Sequence, residues 1–181
     1  MLWVLARVDS LAEAAIRVAL ADPGVPVRVA AIRAAVQSGT IATEALFDRM
    51  RDDPHRHVWR ELVLALVRSD SPEVPRMWAE LAMRHDGRDR WYLEALGIAA
   101  RGRWDDCFAA WKSAVGDGWN TASGRDIVWR SRASASCPLL AELIMTATSV
   151  AEQQRYFRAL DFQPDRVAVG EALERIAGLQ L

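Results

Sequence analysis

Apolar residues recur at the spacing of an α-helix along almost the whole chain. Val27, Ala31 and Ala34, for example, fall on one side of a helix that begins near Pro26. Proline suits the first turn of a helix, because its missing N–H would have no intrahelical partner there. No segment shows the sustained alternation of polar and apolar residues that is typical of a β-strand. The pattern therefore predicts an all-α fold.

Glycine, proline and small polar residues divide this pattern into helices. Gly39, for example, is a natural C-terminal cap, and Gly102 separates two helices. We predict helices over 2–8, 10–21, 26–39, 40–51, 54–68, 72–85, 88–101, 103–115, 125–134, 138–147, 150–160 and 165–178. The segment 116–124 is predicted to be the longest loop.

One phrase occurs twice and, more loosely, a third time. Its copies occupy residues 22–31, 53–62 and 86–95, so the offsets are 31 and 33 residues. A period of this length built from two helices is typical of an α-solenoid, in which each repeat buries its apolar face against its neighbours. We therefore predict a HEAT-like α-α superhelix, a solenoid of stacked helical hairpins that forms a single domain over residues 1–181.

The first copy of the phrase suggests a role for each of its main residues. Asp22 is predicted to cap the following helix, where a carboxylate meets the positive end of the helix dipole. Val27 is predicted to be the first core residue. Arg28 is predicted to reach back along the stack toward the Asp of a neighbouring repeat.

The overall charge does not indicate a polyanionic partner. The formal net charge is −1, which gives no global attraction to nucleic acid or to acidic lipid. Lys112 is the only lysine among 23 basic residues. This bias reflects either codon usage in a GC-rich genome or a set of guanidinium groups directed at carboxylate or phosphate. No apolar run approaches the ~18 residues of a membrane helix, so we predict no membrane insertion.

No residue pattern indicates catalysis, cofactor binding or a metal site. The chain lacks the common nucleotide-binding, hydrolase and metal-binding motifs. His55 and His57 flank an arginine, which would repel a metal cation, so we interpret them as turn residues. His85 is predicted to lie near the end of a helix, where a partial positive charge on its ring suits the helix dipole. Cys107 and Cys137 form no CxxC motif, and the sequence leaves open whether they pair.

Arginine, tryptophan and aspartate cluster in the segments 89–92, 102–105 and 125–132. These residues either hold adjacent helices together through Arg–Asp pairs and Arg–Trp stacking, or offer guanidinium and aromatic groups to an anion or a sugar on a concave surface. Most of the eight tryptophans fit core positions, whereas Trp119 lies in the glycine-rich segment and is a candidate contact residue. The predicted interaction surface consists of Arg90, Arg103, Trp119, Asn120, Arg125, Asp126, Arg130 and Arg132.

The segments 86–97, 102–105, 119–120 and 125–133 resemble the helical region of PVC-type haem-binding CxxCH proteins. That family combines a β-propeller similar to sugar or sorbosone dehydrogenases, a HEAT-like region and a C-terminal cytochrome c domain. The chain has neither the CxxCH motif nor a propeller, so haem c is expected only in the missing domain of the parent protein. The resemblance implies a non-catalytic fragment of a larger extracytoplasmic redox protein, with neighbouring domains or another protein as its partners.

The sequence leaves two other functions open. HEAT-like repeats also form DNA glycosylases of the alkylation-repair type, and the tryptophan and arginine content motivates that alternative. The near-neutral charge argues against it, because phosphate contacts dominate DNA affinity. A free-standing protein-binding module is the other alternative.

Overall fold

The computed structural model describes the backbone of residues 9–178 and the side chains from Glu13 onward. This part of the chain contains eleven α-helices, three short 3-10 turns and no β-strand, so the all-α prediction is confirmed. The predicted helix over 2–8, together with Trp3, lies outside the described residues. No helix between residues 9 and 178 has the length and apolar character needed to cross a membrane.

The helices follow one another with short connections. They are α1 (Asp9–Ala19), α2 (Val25–Ser38), α3 (Thr43–Met50), α4 (Arg56–Ala65), α5 (Val74–Ala82), α6 (Arg90–Ala99), α7 (Trp104–Val115), α8 (Ala122–Arg130), α9 (Cys137–Thr146), α10 (Val150–Asp161) and α11 (Arg166–Gly178). The 3-10 turns are Leu66–Arg68, Gly116–Trp119 and Ser134–Ser136. Gly39 ends α2 with a left-handed backbone (φ 66°), as predicted.

Several helices pack against the helix two places further along the chain. In one row α2 packs on α4, α4 on α6 and α6 on α8, and α10 also contacts α8. In the other row α5 packs on α7 and α9 on α11. The buried apolar side chains of both rows form one connected cluster, which includes the fully buried rings of Trp78 and Trp111. The two rows together therefore share a continuous core.

The repeated phrase forms the same turn in all three of its copies. A carboxylate oxygen of the phrase Asp accepts a hydrogen bond from the amide two residues later. These bonds join Asp22 to Gly24 (2.7 Å), Asp53 to His55 (2.9 Å) and Asp86 to Arg88 (2.9 Å). The prediction that Asp22 caps α2 is therefore wrong, because the N-cap is Gly24 and the carboxylate closes an Asx turn before it.

Arg28 joins two consecutive copies of the phrase. Its Nε and Nη2 donate to the two carboxylate oxygens of Asp53 at 2.6 and 3.1 Å. Its Nη1 donates to the carbonyl oxygens of Asp22 and Pro23 at 2.9 and 3.0 Å. The predicted pairing with a neighbouring Asp is confirmed, but it runs forward to the next copy rather than back. At the matching position of that copy, Trp59 donates its Nε1–H to the carbonyl of Asp53.

The segment 116–124 is more ordered than the glycine content suggests. Gly116–Trp119 forms a 3-10 turn, and α8 begins at Ala122 rather than at the predicted residue 125. Thr121 caps α8, its hydroxyl oxygen accepting from the Gly124 amide at 3.0 Å. Gly124 packs directly on the carbonyl of Trp119, where a Cβ would overlap that oxygen. The ring of Trp119 is buried, whereas Trp91, at a predicted core position, is 72% exposed.

Breaking the ion pair between Arg28 and Asp53 is expected to destabilise the fold strongly. Their side chains are only 10% and 6% exposed, so Arg28→Ala leaves a buried carboxylate without its partner. We expect a loss of about 3–5 kcal/mol in the free energy of unfolding, measured with urea. Arg17→Ala removes an exposed pair with Glu13 and should cost less than about 1 kcal/mol. Equal losses for the two variants would contradict the prediction.

The same pair predicts a defined response to acid. Burial opposes ionisation of Asp53, but bonds from Arg28 and from the His55 amide outweigh it and hold the pKa of this carboxyl below its ordinary value. The stabilisation is therefore complete above the ordinary aspartate pKa of about 4 and is lost as the pH falls through the folded value. Unfolding of Arg28→Ala should lack this component of acid sensitivity.

The two cysteines are expected to be unreactive in the folded protein. Cys107 and Cys137 are free thiols and both are fully buried. Burial raises the pKa of Cys107 to about 12 and that of Cys137 to about 11, so neither forms appreciable thiolate at pH 8. A thiol reagent should modify neither residue in buffer and both in concentrated urea. Rapid modification without denaturant would contradict the burial.

Candidate functional site

The eight residues predicted as an interaction surface do not lie together. Arg90, Asn120, Arg125 and Asp126 lie near the amino ends of α6 and α8, and Arg130 and Arg132 lie at the carboxyl end of α8. Arg103 precedes α7 and donates its Nη1 to the carbonyl of Ser69 at 2.9 Å, which joins the start of α7 to the segment before α5. Trp119 is only 6% exposed and belongs to the core. The prediction that it lies on an accessible surface is therefore wrong.

The carboxyl end of α8 borders a basic cleft of about 600 Å³ between α6, α8 and α10. We call it the arginine cleft. Its charged lining consists of Glu94, Arg130, Arg132, Arg155 and Arg158, and Trp129 and Phe162 are its aromatic side chains. Four guanidinium groups therefore face a single carboxylate within a protein whose net charge is −1.

Arg130 is held in place by a glycine on the neighbouring helix. Its Nε donates to Glu94 at 3.1 Å, and its guanidinium lies 5.9 Å from the ring centroid of Trp104. A Cβ on Gly97 would overlap the guanidinium, so the absent side chain provides the space that Arg130 fills. The repeat places Gly97 where earlier copies have Leu64 and Arg33.

Arg132 is a half-buried cation that turns back on its own backbone. Its Nη1 donates to the carbonyl oxygens of Ser131, Arg130 and Trp129 at 2.6, 3.2 and 3.4 Å. Its guanidinium also lies 5.2 Å from the ring centroid of Phe162. Burial and the nearby charge of Arg130 lower the pKa of Arg132. The positive charge of Arg132 is therefore less favourable here than in water, and a bound anion would stabilise it.

Arg155 is positioned by a buried network below the cleft. It donates to one carboxylate oxygen of Asp126 and lies 4.7 Å from the ring centroid of Trp129. The other oxygen of Asp126 is 3.1 Å from Nε2 of His85. Burial opposes ionisation of Asp126, but the bonds from His85 and Arg155 outweigh it and lower its pKa. Asp126 thus supports the cleft rather than facing a partner.

His85 differs from its predicted role at a helix end. Its side chain is 1% exposed, and its ring stacks on Tyr92 with centroids 6.3 Å apart. It connects the turn before α6 to Asp126 on α8, so it helps to hold these two parts of the chain together. Sequence spacing gives no sign of this, since the two residues are 41 positions apart.

The cleft has the chemistry of an anion site. Arg130 and Arg155 already pair with Glu94 and Asp126, whereas Arg158 forms no hydrogen bond or ion pair with any residue between 13 and 178. Guanidinium groups bind carboxylate and phosphate oxygens with paired hydrogen bonds. Within the same range, no group of three or more His, Cys, Asp or Glu side chains is arranged to hold a metal ion.

The sequence predicted Arg130 and Arg132 as site residues but not the α10 side of the cleft, which carries Arg155 and Arg158. Arg155 and Arg158 are three residues apart on the predicted helix over 150–160, which is the spacing of neighbours on one helix face. That spacing was a usable signal. The contribution of Glu94 was not predictable, because it depends on the packing of α6 against α8.

No protein-family model, no curated protein and no solved structure matches this chain.

Gly97→Ala provides a test of how Arg130 is held. Alanine normally stabilises a helix by about 1 kcal/mol relative to glycine. Here we expect no gain in the native background, because the new methyl group displaces Arg130 from Glu94. In an Arg130→Ala background the same change should stabilise the protein, as measured by urea unfolding in a double-mutant cycle.

Gly170→Ala is the matched control for this cycle. Gly170 lies inside α11, and a Cβ there would meet nothing within 4 Å. It should give a similar stabilisation in both backgrounds. If Gly97→Ala is equally favourable with and without Arg130, the proposed contact is wrong.

Proposed function

We propose that this chain is a HEAT-like α-solenoid that acts as a non-catalytic scaffold or interaction domain. The observation that carries the proposal is the packing of helices two apart in the chain, which continues from α2 through α4 and α6 to α8. The Asx turn at Asp22, Asp53 and Asp86 supports the proposal, because the chain enters α2, α4 and α6 through the same type of turn. Such a fold offers an extended binding surface along one row of helices.

The row that contains α2, α4, α6, α8 and α10 is the proposed interaction face. Besides the arginine cleft, it has a groove of about 380 Å³ whose lining is mostly apolar but also carries charge: Arg33, Val36, Gln37, Glu61, Leu64, Ala65, Val67, Arg68 and Ile98. We call it the apolar groove. Binding residues on a scaffold are expected where exposed apolar and unpaired charged groups adjoin, because both gain from a partner.

We further propose that the chain belongs to a larger haem-containing, dehydrogenase-like protein outside the cytoplasm. The support is the resemblance of the segments 86–97 and 125–133 to the helical region of PVC-type haem-binding CxxCH proteins. In that setting the chain would space or dock a propeller and a cytochrome c domain, and haem c would be held by the cytochrome domain. Those neighbouring domains, or another protein, would be its partners.

An alkylation-repair type DNA glycosylase is the second candidate, and the arginine cleft is the observation that favours it. Two of its four arginines are neutralised by Glu94 and Asp126, however, and the net charge is −1. We therefore rank it below the scaffold. A salt-sensitive shift of labelled duplex DNA by the chain would reverse this order.

A truncation tests the solenoid. In a solenoid each repeat contacts only its neighbours, so a chain that ends after Ala133 should keep its helical circular dichroism per residue and still unfold cooperatively. The destabilisation caused by Arg28→Ala should be the same in the truncated and full chains. Loss of helical structure on truncation, or a changed effect of Arg28→Ala, would contradict the solenoid.

The wider assignment is tested by the reading frame that encodes the chain. A propeller encoded upstream and a CxxCH motif downstream would support the haem-containing parent. A frame with neither would contradict that part of the proposal and leave the scaffold to act on a separate protein.

A further inference from the structure

The apolar groove and the arginine cleft are parts of one face. Ile98 lines the groove and Glu94 lines the cleft. These two residues are one turn apart on α6, so their side chains lie on the same side of that helix. A partner that follows this row of helices would therefore contact apolar side chains near α2 and α4 and cationic side chains near α8 and α10.

The apolar half of this face offers aliphatic area with one charge that is unpaired among the described residues, the exposed guanidinium of Arg68. Val67 and Ile98 are 45% and 41% exposed. Two of the three charges that line the groove, Arg33 and Glu61, pair at 2.7 Å, and Arg68 keeps its guanidinium in solvent. Aliphatic side chains of a partner would remove the apolar area from water, provided that Arg68 stays solvated at the rim.

The cationic half has two guanidinium groups ready for a ligand. Arg158 has no charged or hydrogen-bonding partner among the described side chains, and Arg132 uses only Nη1 in its bonds to backbone carbonyls. Arg130 and Arg155 are already paired and border the site. The face therefore combines a mainly apolar end, which carries the exposed charge of Arg68, with a cationic end where Arg132 and Arg158 lie close together.

We propose that this face binds a protein segment in which a block of aliphatic residues is followed or preceded by a block of acidic residues. The inference rests on the proposed scaffold function and names the chemistry of its partner. Single-stranded nucleic acid fits less well, because it needs free aromatic faces for base stacking. Here Trp129 and Phe162 each have an arginine guanidinium over the ring, and a phosphate backbone gains nothing from the apolar groove.

The spacing of the helices sets the distance between the two blocks. Packed helices are about 8–10 Å apart, so the centres of the groove and the cleft, about two helices apart, are separated by roughly 20 Å. An extended chain covers that distance in about six residues. The expected ligand therefore has roughly six residues from the centre of its aliphatic block to the centre of its acidic block.

The test is fluorescence anisotropy with synthetic peptides and the full chain. Two labelled probes carry three leucines and four glutamates separated by about three Gly/Ser residues, one in each block order. A third probe has the same composition with leucines and glutamates interspersed. We expect one block peptide to bind saturably at one-to-one stoichiometry and at least tenfold more tightly than the interspersed probe.

Variants of the chain assign the two ends of the peptide. Arg158→Gln should weaken the block peptide about tenfold, because a charge-assisted contact is lost. Ile98→Gln should weaken it roughly threefold to tenfold. Arg88→Gln and Val18→Gln are matched controls, since Arg88 is an exposed turn residue and Val18 is 75% exposed on α1. Neither control should change the affinity.

The outcomes separate this inference from the proposed function. Absence of saturable binding, equal binding of all three probes, or unchanged affinity in Arg158→Gln and Ile98→Gln would overturn it. Displacement of the block peptide by inorganic phosphate or a short oligodeoxynucleotide at equal concentration would show an anion or nucleic-acid site instead. If these tests fail while the truncated chain still folds as a repeat array, only the partner assignment is wrong.

Discussion

Burial between helices two apart in the chain is the constraint on which this structure depends. Each helix is too short to be stable alone in water, so its stability comes from the apolar face that a neighbour covers. Packing α2 on α4, α4 on α6 and α6 on α8 provides that cover, and α5 on α7 does the same in the second row. The polar features, including the Asx turns and the bond of Arg28 to Asp53, fix the geometry of helices that apolar burial already holds together.

The sequence predicted what depends on local spacing. Helical periodicity identified the helices, the repeated phrase located the turns, and the position of Arg28 indicated a bond to a neighbouring Asp. The errors arose where packing decides. Trp119 lies in a glycine-rich segment but is buried, because Gly124 lets α8 approach its carbonyl closely. Trp91 falls on a predicted core position yet points to solvent, since Tyr92 takes the inner place.

The clustered arginine, tryptophan and aspartate residues show that contacts between helices and an exposed binding surface are not exclusive alternatives. Arg103 and Asp126 join segments that are distant in the chain, whereas Arg132 bonds to nearby backbone carbonyls and lines the cleft. Sequence reasoning found half of the arginine cleft, since Arg130 and Arg132 stand in a cluster with tryptophan. The other half comes from α10, whose packing beside α8 cannot be read from residue types.

The space above Gly97 also has a thermodynamic consequence for ligand binding. An arginine on an open surface samples many rotamers, and ordering it on binding costs about 0.5–1.5 kcal/mol. Arg130 has already lost much of that freedom on folding, because its guanidinium fills the position of a missing side chain on α6. One wall of the cleft is thus ordered before any partner arrives, so binding there would require little further loss of conformational entropy.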